Sequence, residues 1–137
     1  MVPDLRIQVP PNCELTLGMT CVDKSAPGRT VWRMRADERF ANPAGIVQGG
    51  FIGAMADSAM GSATVTFARA SGRQVFSSNV EMKTSFFAPV RVGAQLQCTA
   101  SVVSGGGRVA FAEAEVVDER GTIVARASST YLFTARE

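Results

Sequence analysis

The second half of the chain alternates between apolar and polar positions. Val80, Met82, Thr84 and Phe86 share one side of a period-two pattern within Val75 to Phe87, which stops at Ala88-Pro89. Leu96, Cys98, Ala100 and Val102 do the same within Ala94 to Val103, and two further runs span Arg108 to Val117 and Thr122 to Phe133. Gly105-Gly106-Gly107 and Asp118-Glu119-Arg120-Gly121 separate these runs, so turns recur at spacings of roughly 12–15 residues and predict an antiparallel meander. Nearer the start, Leu15 to Val22 and Thr30 to Arg39 read as extended segments joined by a turn at Ser25-Ala26-Pro27-Gly28. Residues 1–12, with Pro3, Pro10 and Pro11, predict an irregular arm, and residues 13–137 a single domain.

Between these β-patterned regions the character changes. Asp57 is the only charged side chain between Arg39 and Arg69. From Phe51 to about Ala70 the chain is rich in Ala, Met, Gly and Phe and lacks proline, which predicts a helix apolar on nearly all sides. A membrane span is the competing reading, but a mid-helix Asp, many Gly and Ser residues and no flanking basic clusters argue against it. The outline is an α+β domain in which one strongly curved antiparallel sheet wraps a single long helix. Such a sheet leaves one side of the helix and one sheet edge uncovered, and a second copy of the chain would cover both.

Composition narrows the chemistry. With 137 residues, 46% hydrophobic and 19% charged, the chain suits one globular domain. Its 14 basic and 12 acidic residues are scattered, so nothing marks a nucleic-acid surface. Three cysteines without CxxC spacing predict inert thiols, with neither a disulfide framework nor a metal site. The first residues carry no secretory pattern, so a cytoplasmic setting is expected. The chain has no histidine. That excludes Ser-His-Asp and Cys-His systems and most catalytic zinc sites, and leaves acid–base work to a carboxylate, lysine, tyrosine or cysteine.

Asp57 is therefore the position to explain. A carboxylate in apolar surroundings is costly unless compensated. It could be an architectural pairing across a subunit interface, or a reacting group. Gln48-Gly49-Gly50 precedes the helix, where glycines admit a ligand close to the backbone and free N–H groups favour developing negative charge. The same glycines could simply make a turn. Gly49 and Asp57 stand eight residues apart, which is about 12 Å along a helix axis. One helix cannot bring both to one reacting centre, whereas antiparallel helices of two protomers can.

At these residues the chain resembles the PaaI-like branch of the hotdog thioesterases, within the 4-hydroxybenzoyl-CoA thioesterase superfamily. That branch shows Asn-Pro-x-Gly-x-x-His-Gly-Gly and, after six more residues, Asp or Glu. Here the motif stands as Asn42-Pro43-Ala44-Gly45-Ile46-Val47-Gln48-Gly49-Gly50, with Asp57 in the acidic place. Phe86-Phe87-Ala88-Pro89-Val90, Gly93 and Asp118-Glu119-Arg120-Gly121 extend the likeness over roughly residues 13–134.

The resemblance implies a hotdog fold, dimers paired into tetramers, and hydrolysis of an acyl-CoA or aryl-CoA thioester with no cofactor beyond the CoA of the substrate. It makes Asp57 the general base or nucleophile and the Gly49 N–H the carbonyl-polarising donor. Asn42 would hold the water or the substrate, and Gln48 occupies the usual histidine place. Asn79 falls where relatives carry a hydroxyl that assists the water. Gly50, Ser58 and Phe51 would border the substrate, and Arg91 and Arg108 are candidates for its phosphates. Phe51, Met55, Met60, Phe76 and Phe86 are candidates for the acyl pocket. The alternative is a hotdog protein that binds acyl-CoA or another hydrophobic ligand without turnover.

Overall fold

Six strands form one antiparallel sheet in the computed structural model, which describes residues 12–136; of the expected arm at residues 1–12, all but Asn12 lies outside the described residues. They are β1 (Thr20–Asp23), β2 (Arg29–Arg35), β3 (Val75–Phe86), β4 (Gln95–Gly105), β5 (Val109–Val117) and β6 (Ile123–Ala135), in the spatial order β1-β2-β4-β5-β6-β3. The long helix α2 (Gly49–Ala70) packs against β2 to β6. This is the hotdog arrangement.

Small side chains let the helix lie close. β5 turns Ala110, Ala112 and Ala114 inward, and α2 buries Ala56, Ala59 and Ala63. Met34, Met55, Met60 and Leu96 fill the remaining space and are almost wholly buried. Each such side chain contributes roughly 1.5–3 kcal/mol of transfer free energy. Two hydrogen bonds pin the helix to the start of β2: Thr30 Oγ1 donates to the Ala59 carbonyl at 2.7 Å, and the Gly28 N–H donates to Thr66 Oγ1 at 3.0 Å.

The expected extended segment from Leu15 to Val22 is corrected: it begins inside a short helix, α1 (Cys13–Leu17), before β1. Asn12 caps that helix by accepting the Leu15 N–H at 3.0 Å, and Gly18 ends it in the left-handed region at φ 72°. The segment from Thr30 to Arg39 also divides. β2 ends at Arg35, and Glu38–Phe40 form one 3₁₀ turn capped by Asp37. The long helix starts at Gly49, two residues before the expected Phe51.

Two of the uncovered surfaces lie near the helix and β3. One side of α2 carries half-buried Gly53, Ala54, Asp57, Ser58, Gly61, Ser62 and Val65, which the sheet covers only in part. β3 pairs only with β6, so its outer edge offers unpaired N–H and C=O groups along 12 residues, with Phe76, Val80, Phe86 and Phe87 exposed.

Candidate active site

Asp57 sits half-buried on α2, where two strands of the sheet reach it. Asn79 on β3 and Tyr131 on β6 are direct cross-strand partners. The β3 register shifts between Asn79 and Glu81, a bulge that re-aims the strand at this point. Asn79 Nδ2 donates to Asp57 Oδ1 at 2.9 Å, and the Tyr131 hydroxyl donates to the same oxygen at 2.7 Å. Tyr131 also approaches the Asp57 carbonyl oxygen at 3.0 Å. Asn79 Nδ2 lies 3.3 Å from Ser129 Oγ, while Asn79 Oδ1 is buried without a partner among the described residues. Burial above all, and then the hydrogen bond to Asp57, push the Tyr131 phenol far above its ordinary range, so it stays a donor. The chain's only tyrosine is thus committed to Asp57. Asp57, Ser58, Ser77, Asn79 and Tyr131 line a crevice of about 410 Å³ that also touches Lys24 and Arg69.

A second feature is built by the loop before α2. Asn42 Oδ1 accepts the Ala44 N–H at 2.9 Å and the Ile46 N–H at 3.1 Å, closing a turn through Gly45 at φ 78°. The Val47 N–H then donates to the Val90 carbonyl and the Gln48 N–H to the Phe40 carbonyl, both at 2.8 Å. This clamps the approach to the helix from two sides. Gln48 is the N-cap residue, exposed, and its side chain makes no capping bond. Gly49 opens the helix, so its N–H has no intrahelical acceptor.

The geometry separates two readings of the glycine pair. Neither Gly49 nor Gly50 has positive φ, so turn formation does not call for glycine here. At Gly49 the backbone is closely approached: a Cβ there would lie 2.8 Å from Cζ, the far end of the exposed Phe86 ring. Phe86 and Gly49, with Ile46, Ile52 and Phe87, line a largely apolar crevice of about 490 Å³. It shares no lining residue with the Asp57 crevice. A single protomer does not join the donor to the carboxylate.

The other candidates scatter. Ser58 borders the Asp57 crevice. Phe51 stacks on Phe40 with ring centroids 4.4 Å apart. Met55 and Met60 belong to the core, which corrects their place as pocket candidates. Phe76 is exposed beneath the Arg136 guanidinium, 5.0 Å from the ring centroid. Arg91 lines a separate groove with Asp118 and Glu119, and Arg108 follows the triple-glycine turn. The cations that do line the Asp57 crevice, Lys24 and Arg69, were not foreseen, nor was Tyr131. The inward phase of β6 was a signal for Tyr131; nothing local marked Lys24. Among the described residues no three His, Cys, Asp or Glu side chains gather as a metal site. No helix there is long and apolar enough to cross a membrane.

Comparison with known proteins bears on the fold and the class of reaction. Residues 44–125 match the thioesterase superfamily family model. Acyl-coenzyme A thioesterase 13 of Homo sapiens is 24% identical over 120 residues, covering 87% of this chain and 83% of that protein. The structure of the E. coli PaaI protein from the phenylacetic acid degradation operon superposes with a TM-score of 0.82 at 20% identity, over 90% of this chain and 84% of that one. A Streptococcus mutans UA159 protein solved bound to acetyl CoA gives a TM-score of 0.80 at 16% identity over 97% of both chains. The chain belongs to the thioesterase superfamily and is a PaaI-like hotdog thioester hydrolase.

Proposed function

We propose that the chain hydrolyses acyl-CoA thioesters at a site completed by two protomers, with Asp57 of one facing the Gly49 amide of the other. The observation that carries this reading is the separation of the two crevices within one chain. The unpaired β3 edge and the small-residue face of α2 support a two-fold pairing that would set two α2 helices antiparallel. The likeness to acyl-coenzyme A thioesterase 13 supports a CoA thioester as substrate. In this reading such dimers pair further into tetramers in the cytoplasm.

In this reading the thioester carbonyl oxygen accepts the Gly49 N–H at the positive end of α2, where tetrahedral charge develops. Asp57 either takes a proton from the attacking water or attacks the carbonyl itself. The first route passes directly to the acid. The second forms a mixed anhydride that water then cleaves. In both, the C–S bond breaks and the thiolate leaves to be protonated as CoA. Asn42 shapes the loop that presents Gly49, Asn79 holds the carboxylate, and Lys24 and Arg69 suit the anionic end of the substrate.

The test is thiol release by Asp57→Ala and Asp57→Asn across aromatic, short, medium and long acyl-CoAs. Loss of turnover by both variants, with fold and oligomeric state retained, supports the reading. Full turnover by either defeats it. Tight binding by the wild type with no turnover on any of these thioesters would favour a binding protein instead.

A further inference from the structure

We infer that Tyr131 is a positioning residue for catalysis: its hydroxyl fixes the Asp57 carboxylate so that Oδ2 is the oxygen left to react. The inference rests on the reading of Asp57 as the reacting carboxylate. A phenol has one proton, and two acceptors lie within reach. The 2.7 Å contact to a charged oxygen outcompetes the 3.0 Å contact to the Asp57 carbonyl. Asn79 Nδ2 donates to that same Oδ1 at 2.9 Å. Both internal donors therefore converge on one carboxylate oxygen, and Oδ2 receives none among the described residues.

The setting makes the hydroxyl rigid. Tyr131 is 1% exposed, and its ring lies against α2 one turn beyond Asp57, where a Cβ on Gly61 would sit 3.6 Å from Cε1. Ser129, two residues away on the same inward face, and Asn79, directly opposite, complete a polar cluster in an otherwise apolar interior. A structural role alone needs only that the buried hydroxyl find an acceptor, and the helix carbonyl would serve. Convergence of two donors on one oxygen of an aspartate that borders a crevice is what positioning requires.

The experiment compares Tyr131→Phe, Asn79→Ala, Asp57→Asn and the double variant Tyr131→Phe/Asp57→Asn in steady-state thiol release, with melting curves. Tyr131→Phe keeps the ring and its packing. It should lower kcat about 10- to 100-fold with KM changed less than about twofold, as expected when a reacting group is misplaced rather than removed. Asn79→Ala should give the same split. The double variant should be no slower than Asp57→Asn, since the hydroxyl acts only through that carboxylate. A folded Tyr131→Phe with wild-type kcat overturns the inference, as does a double variant much slower than Asp57→Asn. Were Tyr131→Phe not to fold, feeding 3-fluorotyrosine to the wild type decides, because Tyr131 is the only tyrosine. A change in kcat above about twofold at constant KM supports positioning, and no change overturns it. Full turnover by Asp57→Asn would instead fail the underlying reading.

Discussion

Gly49→Pro removes one backbone N–H at the start of α2. Gly49 is the first residue of α2, a position where proline is favoured because that N–H has no intrahelical partner. Gln48 before it sits at φ −62° and ψ 133°, extended backbone that a following proline accepts. At Cβ the steric cost falls on Phe86, whose Cζ would lie 2.8 Å from the new atom. That ring is 51% exposed, so its far end can swing aside. Reduced freedom of the unfolded chain returns ~0.4–1 kcal/mol, and the displaced ring costs about 1–3 kcal/mol at most, so stability should fall by less than about 3 kcal/mol. Activity should respond very differently. Loss of an oxyanion donor raises the barrier by ~2.7–4 kcal/mol, or about 10²–10³ in kcat. Gly49→Ala is the control: it displaces Phe86 equally and keeps the N–H. Thiol release with both variants, alongside thermal melts, isolates the donor. Equal kcat for Gly49→Pro and Gly49→Ala would refute the oxyanion assignment.

Two further outcomes concern buried groups away from the reaction. Burial raises the Cys98 thiol to about 12, and its side chain is fully enclosed, so iodoacetamide at pH 8 should modify exposed Cys13 readily and leave Cys98 unlabelled, as read by peptide mass spectrometry. Native labelling of Cys98 as fast as Cys13 would contradict that burial. The same group makes stability fall in alkali. The folded value lies above the ordinary 9.0, so the stabilisation is complete below pH 9 and is lost as pH rises toward 12, at about 1.4 kcal/mol per pH unit. The raised Tyr131 phenol adds to the loss above its ordinary value of 10.0. Melting temperature should drop across pH 9–11 in the wild type and less steeply in Cys98→Ala; identical slopes would count against it.

How far the sequence could be read depended on the range of each signal. Period-two burial in β4 to β6 and a long segment whose one charge is Asp57 are local patterns, and they led to the hotdog sheet and its helix. α1 was missed because five residues hold too little periodicity, although Asn12 before it and Gly18 after it were cap signals. Asp57 stood out by its contrast with apolar neighbours, and Gly49 by its place in Gln48-Gly49-Gly50 before the helix. Of the Asp57 partners, Asn79 came through the family resemblance and Tyr131 not at all. Tyr131 reaches Asp57 across 74 positions through the β3–β6 register, and Phe86 at the end of β3 reaches Gly49. Such contacts follow from strand order, which no local pattern specifies. Met55 and Met60 were misplaced for a related reason: helical phase distinguishes faces, but only the packed sheet shows which face it covers.

The claim on which the mechanism turns is that carboxylate and donor come from different chains, and subunit complementation tests it most directly. Asp57→Asn and Gly49→Pro protomers, co-expressed with different tags and purified as the mixed dimer, each lack one element. A site shared between protomers leaves one of the two sites whole, with Asp57 from the Gly49→Pro chain and Gly49 from the Asp57→Asn chain. The mixed dimer should then recover about half the wild-type turnover per dimer, while both parent homodimers stay nearly inactive. A mixed dimer as inactive as its parents would place both groups within one chain and contradict the account.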